Sequence, residues 1–388
     1  MRQAETLAAR LEGWFFAPGD PRRLAALRIG LGAILAVRLA AGSYVELAGQ
    51  PAALFRPISF LRLLDAMPPP GLVAVVQVLA LAAAVLAVAG VAARLTLPLA
   101  WAAAVPLIAM TSSLGKTAHN DVLLLLCLVP LLPAPTADAW SLAARRRQAP
   151  ARAWRPWRRG RPAPTGGSAP TGGSAPAGGP VPAGGPVPAG GPEPTARPGP
   201  TARPGPTGGR GPTRGPGPAA AAWRYGWPVR TAMVVVAGAY FFSGLAKLLH
   251  AGPAWVASGN LRWALYASSD AQAHPNPAAL LVADRPWLAH LLAAATLLVE
   301  LGFPLVLWRP RLAWVFVPAA VAFHAGIWAA MRLDYWPMAA TVLVVMVDWL
   351  ALAARLARGR ASARGRAGAR ASAGASPGEQ PARTVVDR

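Results

Sequence analysis

Cysteine, lysine and acidic residues are scarce in this 388-residue chain. Cys127 is the only cysteine, so no disulfide can form within the chain. Charged residues make up 14% of the sequence, whereas about 25% is usual in soluble domains. The first 23 residues hold no short apolar stretch that ends in a small-residue cleavage site, and we therefore expect no cleaved signal peptide.

The short motifs of common catalytic and metal centres are also absent from the sequence. It contains no CxxC, HExxH or GxSxG motif and no phosphate-binding loop. We expect no metal. The candidate functional residues are then the few ionisable side chains inside apolar segments, because each of them is costly to place there.

Apolar residues dominate instead, at 54% of the chain with a mean hydropathy of +0.38. Runs of ~20 apolar residues, enough to cross a bilayer, recur along the sequence. We therefore predict an all-α, polytopic transmembrane helix bundle of about eight spans in a cell membrane. The predicted spans are residues 24–47, 72–93, 95–113, 119–137, 228–249, 287–308, 311–331 and 335–356.

The net charge of +23 is concentrated in two segments that flank predicted spans. Residues 145–230 hold fourteen arginines and one acid, and residues 355–388 hold eight arginines and two acids. Clustered arginine marks the cytoplasmic side of a membrane protein, so we place both termini in the cytoplasm. No nucleic-acid-binding motif accompanies the arginines. Contact with membrane lipids is the better interpretation.

Three segments outside the spans complete the predicted organisation. Residues 1–23 form an amphipathic cytoplasmic segment before the first half of the bundle at 24–144. Residues 145–222 carry a proline every six positions from 164 to 212, in units such as AGGPVP. With almost no large apolar side chain they predict a disordered linker, which could hold a cytoplasmic partner. The second half of the bundle is 223–356, and a disordered basic tail follows at 357–388.

Ionisable and polar residues gather in the predicted outer half of the membrane. Lys247 lies near the outer end of its span, His119 and Asn120 open another span, and His324 lies somewhat beyond mid-membrane. Tyr240, Ser243, Gly244 and Lys247 recur with the spacing of one helix face. Arg38 and Glu300 are placed near the middle of their spans.

Lysine at position 247 stands out because the chain has only one other, Lys116, and otherwise uses arginine. Burial disfavours the charged form of an amine, which lets a lysine act as a base near neutral pH. A guanidinium stays protonated and cannot do this. This difference favours a functional amine at 247.

Structural interpretations of the same residues remain open at this stage. Lys247 could extend its amine to the outer interface, and His324 could be a packed histidine. His119, Asn120 and Asp121 could cap a helix. Glu300 and Arg38 could neutralise each other inside the bundle.

Several blocks of the sequence together resemble the HTTM domain, the transmembrane domain of vitamin K-dependent gamma-carboxylase and its bacterial homologues. The blocks include SSLGKTAHNDVLLLLCLVPLL, YFFSGLAKLLHAGPAW and FHAGIWAAMRLDYWPMAA. The resemblance implies that Lys247 is the base that deprotonates a quinol and that His324 matches a histidine of the family. His119, at the same predicted depth, is a further catalytic candidate. It implies reduced vitamin K or menaquinol as cofactor, with CO2 and O2. The candidate ligand-binding residues are Asn120, Tyr240, Trp255, Arg38 and Glu300.

The sequence also departs from the family pattern. Ala246 precedes Lys247, where the animal enzyme has paired lysines, and an Asn-Asn-His element of the family reads His119-Asn120-Asp121. No counterpart of the family's large extramembrane portion is present, so we do not expect a pro-sequence-tethered protein substrate. The rival hypothesis is a non-enzymatic membrane module that binds lipid or quinone, transports a solute or scaffolds an assembly.

Overall fold

Helices account for all the regular secondary structure in the described part of the chain. The structure, a computed structural model, describes residues 2–114, 120–148, 222–272 and 274–374. The α-helices in these ranges are α1 (Arg2–Phe15), α2 (Pro21–Ala41), α3 (Tyr44–Ala48), α4 (Pro70–Ala89), α5 (Ala93–Thr111), α6 (Val122–Leu128), α7 (Leu142–Gln148), α8 (Trp223–Ala251), α9 (Ala254–Ala257), α10 (Asn260–Asp270), α11 (Pro277–Ala283), α12 (Pro286–Gly302), α13 (Leu305–Trp308), α14 (Ala313–Met331), α15 (Trp336–Met346) and α16 (Trp349–Gly374). Short 3₁₀ helices cover Ala52–Leu54, Ser59–Leu63, Val129–Leu131 and Pro310–Leu312.

Within the described residues, five helical segments are long and apolar enough to cross a membrane. Two further pairs of apolar helices are sharply bent at a short break. The first pair, α11 and α12, is bent by 97°, and the second, α15 and the first part of α16, is bent by 68°. Counting each bent pair as one span gives up to seven spans. The five straight segments are Pro21–Ala41, Pro70–Ala89, Ala93–Thr111, Trp223–Ala251 and Pro310–Met331.

The prediction of eight spans is therefore not confirmed. The clearest difference is the segment predicted at 119–137, where the apolar helix covers only Val122–Leu131. At ~1.5 Å per residue, this helix is about half as long as a bilayer core is thick. Pro130 and Pro133 limit it, because proline supplies no backbone N–H for a continuing helix.

Large apolar side chains cover the outside of the bundle. In the most apolar window of α4 the mean hydropathy is 2.8, yet only 22% of that window is buried inside the protein. Leu72, Val75, Val78 and Leu79 are all more than half exposed. Soluble proteins rarely expose an apolar surface of this extent. The structure is thus a helical bundle compatible with a multi-pass membrane protein.

The interior is built around α2, which packs against α4, α8 and α15. Leu24, Leu31 and Leu35 on α2 are completely buried. Helices α4 and α5 pack on each other, and many of their buried positions are small residues, which allow close packing typical of membrane bundles. These residues are Ala80, Ala84, Ala87, Ala100 and Ala104, all essentially buried.

A buried arginine fixes the turn that follows α4. Arg28 is fully buried and donates hydrogen bonds to the carbonyl oxygens of Thr136 at 3.1 Å and Trp140 at 2.7 Å. Gly90 ends α4 with φ of +75°, and a Cβ there would lie 2.7 Å from the Cα of Ser141 and 3.1 Å from the Arg28 guanidinium. Only glycine fits this position without strain or displacement.

Replacing Gly90 by alanine is expected to lower the free energy of unfolding by at least ~1–2 kcal/mol, the cost of a left-handed conformation for an L-residue. The clash with Ser141 adds to this cost. Unfolding of the purified protein in detergent would measure the change. Gly71→Ala is the matched control, because Gly71 lies in α4 with open space around its Cα. Equal stability of the two variants would contradict the account of this turn.

The segments outside the spans differ in part from the predictions. Most of the predicted amphipathic segment 1–23 is helix α1. Helix α16 continues to Gly374, so the tail predicted as disordered from residue 357 is helical over its first half. Its alanine- and arginine-rich sequence explains this, because both residues favour helix. Helix α7 extends to Gln148, inside the predicted linker 145–222. Residues 149–221 of that linker lie outside the described residues.

Candidate functional site

The predicted polar face of α8 carries an ion pair with α12. Lys247 Nζ lies 2.7 and 2.8 Å from the two carboxylate oxygens of Glu300. Ser243, one turn earlier on α8, accepts a hydrogen bond from Lys247 Nζ at 2.9 Å and donates one to Glu300 at 3.0 Å. The Lys247 side chain is 20% exposed and that of Glu300 is 4% exposed. The amine is therefore held inside the bundle rather than released to its edge.

Gly244 allows α8 and α12 to approach closely enough for this pair. A Cβ at position 244 would lie 2.9 Å from the Cβ of Glu300 and 3.1 Å from the side chain of Leu301. Any larger residue would push the two helices apart. The small residue noted in the sequence thus positions the carboxylate beside the amine.

Trp255 contacts the Lys247 amine with the face of its ring. This residue lies in α9, and its ring centroid is 5.4 Å from Lys247 Nζ, within the range of a cation–π contact. Its indole Nε1 is buried and has no hydrogen-bond partner in the described part of the chain. A buried donor without a partner is energetically costly. This buried donor, in a ring that contacts the amine, therefore suits a ligand that carries an oxygen acceptor.

A second polar pair lies two turns earlier on α8. The Tyr240 hydroxyl is 2.7 Å from Nε2 of His324 on α14. Tyr240 stacks on Phe303 with ring centroids 4.4 Å apart, and His324 stacks on Tyr335 at 5.8 Å. His324 is 4% exposed, and its Nδ1 finds no partner among the described residues. The pair is thus locked between aromatic rings.

Arg38 on α2 organises a third group of polar residues. Its guanidinium binds both carboxylate oxygens of Asp121, at 2.8 and 2.9 Å, and a carboxylate oxygen of Asp334 at 2.8 Å. The side-chain amide of Asn120 donates to the backbone oxygen of Asp334 at 2.7 Å. Asp334 directly precedes Tyr335, the residue that stacks on His324. The group around Arg38 therefore adjoins the Tyr240–His324 pair. His119 lies outside the described residues.

Two structural interpretations of these residues prove wrong. Glu300 and Arg38 do not neutralise each other, because Glu300 pairs with Lys247 and Arg38 pairs with Asp121 and Asp334. Asp121 stands at the N-cap position of α6, but its side chain makes no capping hydrogen bond there and binds Arg38 instead. The helix-capping interpretation of Asp121 is therefore incorrect.

Asp334, Tyr335 and Phe303 all contact candidate residues, although the sequence pattern predicted no role for them. Asp334 and Tyr335 could have been suspected, since an acid and a phenol stand together between two apolar helices. Phe303 gave no signal, because a phenylalanine inside an apolar segment is ordinarily a packing residue.

A large cavity lies elsewhere, toward the N-terminal end of α8. It has a volume of about 970 Å³, and residues that line it include Tyr225, Arg230 and Met233 of α8. Neither Lys247, Glu300, Tyr240 nor His324 is among its lining residues. The bundle thus has two separate features, the polar residues around Lys247 and this cavity.

No group of three or more histidine, cysteine or acidic side chains that could hold a metal ion occurs in residues 2–114, 120–148, 222–272 and 274–374. Comparisons with protein-family models, with curated proteins and with solved structures find no match to this chain.

Proposed function

We propose that this chain is an HTTM-type protein of the cell membrane in which Lys247 takes a proton from a membrane quinol. The proposal places eight spans across the membrane, with 119–137 as a short one. Both termini and the 145–222 linker then face the cytoplasm, where the linker is accessible to a partner protein. The observation that carries the proposal is the contact of the Lys247 amine with Glu300 inside an apolar bundle.

Proton movement within this pair is what would make Lys247 a base. Glu300 Oε1 is 2.7 Å from Nζ, so the ammonium can pass a proton to the carboxylate and leave a neutral amine beside a carboxylic acid. The amine can then accept a proton from a quinol hydroxyl.

The remaining polar groups would orient the quinol. The Trp255 ring contacts the amine and its buried Nε1 has no partner in the described part of the chain, so a quinol oxygen would supply the missing acceptor. The Tyr240–His324 pair and the Arg38 group provide further polar contacts in the same outer half. A quinol bound here would supply the electrons that reduce O2, and in the family that reaction is coupled to the addition of CO2 to a glutamate.

A non-enzymatic role is the second candidate, and one observation favours it. The charge of Lys247 is already compensated by Glu300, Ser243 and the face of Trp255. In this second candidate the ion pair would simply join α8 to α12. The protein would be a membrane module that binds lipid or quinone, transports a solute or scaffolds an assembly. Lys247 would then need no proton transfer.

Equilibrium binding of labelled reduced vitamin K to the full chain in nanodiscs, under argon, tests the proposed site. We expect saturable binding, weakened about fivefold by Trp255→Phe, since one neutral hydrogen bond is worth about 1 kcal/mol. Trp263→Phe is the matched control, because Trp263 is 73% exposed and lies nearby in α10. A quinol site at Lys247 would be wrong if the wild type showed no saturable binding. It would also be wrong if Trp255→Phe and Trp263→Phe weakened the binding equally.

A further inference from the structure

The cavity toward the N-terminal end of α8 has the size and lining of a ligand site. Small-molecule pockets typically measure roughly 300–1,000 Å³, and this cavity, at about 970 Å³, falls at the upper end of that range. It lies between α1, α2, α8, α14, α15 and α16. Much of its wall is apolar and includes Met233, Val306, Val317, Val321 and Leu343.

Three arginines line the cavity, and their contacts leave positive charge available. Arg230 donates to the backbone oxygens of Phe15 and Ala17, which carry no net charge. Arg355 is exposed and makes no hydrogen bond or ion pair within the described part of the chain. Arg23 pairs with Asp348 at 3.4 Å, and it also repels the nearby Arg230.

The two acids that line the cavity are both engaged by the protein. Asp20 accepts a hydrogen bond from the backbone N–H of Arg22 at 2.7 Å, as the N-cap of α2. Asp348 accepts one from the N–H of Ala351 at 3.0 Å, in addition to its pair with Arg23. The cavity therefore presents a net positive charge that fits an anionic group.

Tryptophans surround the same region. Trp14, Trp314 and Trp349 all line the cavity, and each lies at or near an end of a helix. Tryptophan is enriched where a membrane protein meets lipid headgroups. The cavity thus combines an apolar wall, arginines and tryptophans, which suit an acyl chain, a phosphate and a headgroup interface respectively.

We infer that this cavity binds one anionic phospholipid. Its phosphate would lie against Arg355 and Arg23, and an acyl chain would lie along α8, α14 and α15. Basic pockets between membrane helices are known to hold anionic headgroups. The inference concerns a site separate from Lys247 and does not depend on the quinol proposal.

Native mass spectrometry of the delipidated full chain would test this inference. Dioleoyl phosphatidylglycerol and dioleoyl phosphatidylcholine serve as probes that differ in headgroup charge. We expect one phosphatidylglycerol to bind preferentially, and Arg355→Gln to weaken it about fivefold, because each arginine near an anionic lipid contributes about 1 kcal/mol. Arg358→Gln is the matched control, since Arg358 is exposed on the same helix but does not line the cavity.

A second variant tests the apolar wall and does not depend on charge. Ala322→Phe places a ring in the cavity and should abolish the bound phosphatidylglycerol in protein that keeps its wild-type melting temperature. Equal binding of phosphatidylcholine would overturn the inference. So would competition by millimolar inorganic phosphate, which would indicate a site for a soluble anion. Retention of one lipid by the Ala322→Phe variant, or no bound lipid in the wild type, would overturn it as well.

Discussion

Lys247→Arg is expected to lower quinol oxidation by about 100-fold or more while leaving the stability of the bundle nearly unchanged. Arginine keeps the positive charge and can pair with both oxygens of Glu300, so the contact between α8 and α12 survives. It cannot give up its proton, so it cannot act as a base. General acid–base catalysis is typically worth 10²–10⁴-fold, which sets the expected loss. Epoxide formation from reduced vitamin K under oxygen would measure it.

Two comparison variants make this result interpretable. Arg285→Lys, an exchange of basic residues at an exposed position, should leave both activity and stability as in the wild type. Lys247→Ala should lose activity and also stability, because it leaves the Glu300 carboxylate without a cation. If Lys247→Arg oxidised the quinol at the wild-type rate, Lys247 would be a structural partner of Glu300 and not the base.

Arg38→Met is expected to lower the free energy of unfolding by about 3–5 kcal/mol, the usual cost of breaking a buried ion pair from one side. The side chain of Asp121 is only 5% exposed and takes both of its charge-neutralising hydrogen bonds from Arg38. Without that guanidinium, a carboxylate remains buried and unpaired. Unfolding in mixed detergent micelles would measure the change.

The other carboxylate on Arg38 supplies the control. Asp334 is 51% exposed, so Asp334→Asn should cost less than about 1 kcal/mol. The double variant Arg38→Met/Asp121→Asn should be more stable than Arg38→Met alone, because it removes the unpaired charge. This description of the Arg38 group would be wrong if Arg38→Met were as stable as the wild type. It would also be wrong if the double variant were no more stable than Arg38→Met.

Local spacing was enough to place four of these residues on one face of a helix. Tyr240, Ser243, Gly244 and Lys247 share one face of α8, since residues three and four apart on a helix are neighbours. Their roles in the structure follow from that face, with Gly244 at the close contact and Ser243 beside the amine. This much depends only on the geometry of a single helix.

Partners on other helices could not be read from the sequence. Glu300 and Arg38 have a similar predicted depth, which allows a pairing between them, but depth does not say which helices are neighbours. The structure packs α8 against α12 and therefore joins Glu300 to Lys247. The unpaired Nε1 of Trp255 and the cavity near Arg230 likewise depend on how separate helices pack, and no local pattern indicated them.

Hydropathy predicted the helical class but overstated the regularity of the spans. A run of apolar residues does not reveal where a helix bends or stops. The 97° bend between α11 and α12 falls directly before Pro286, which begins α12, and Pro130 and Pro133 limit the helix at Val122–Leu131.

Oxygen-dependent turnover of a quinol by the wild-type protein is the most direct test of the central claim. Full-length protein in nanodiscs would receive excess reduced vitamin K under air, and the epoxide would be quantified by chromatography. We predict epoxide in amounts that exceed the protein and that disappear with Lys247→Arg. If the protein bound the quinol but the quinol were recovered without epoxide, the proposed reaction would be wrong. A non-enzymatic membrane module would then be the better explanation.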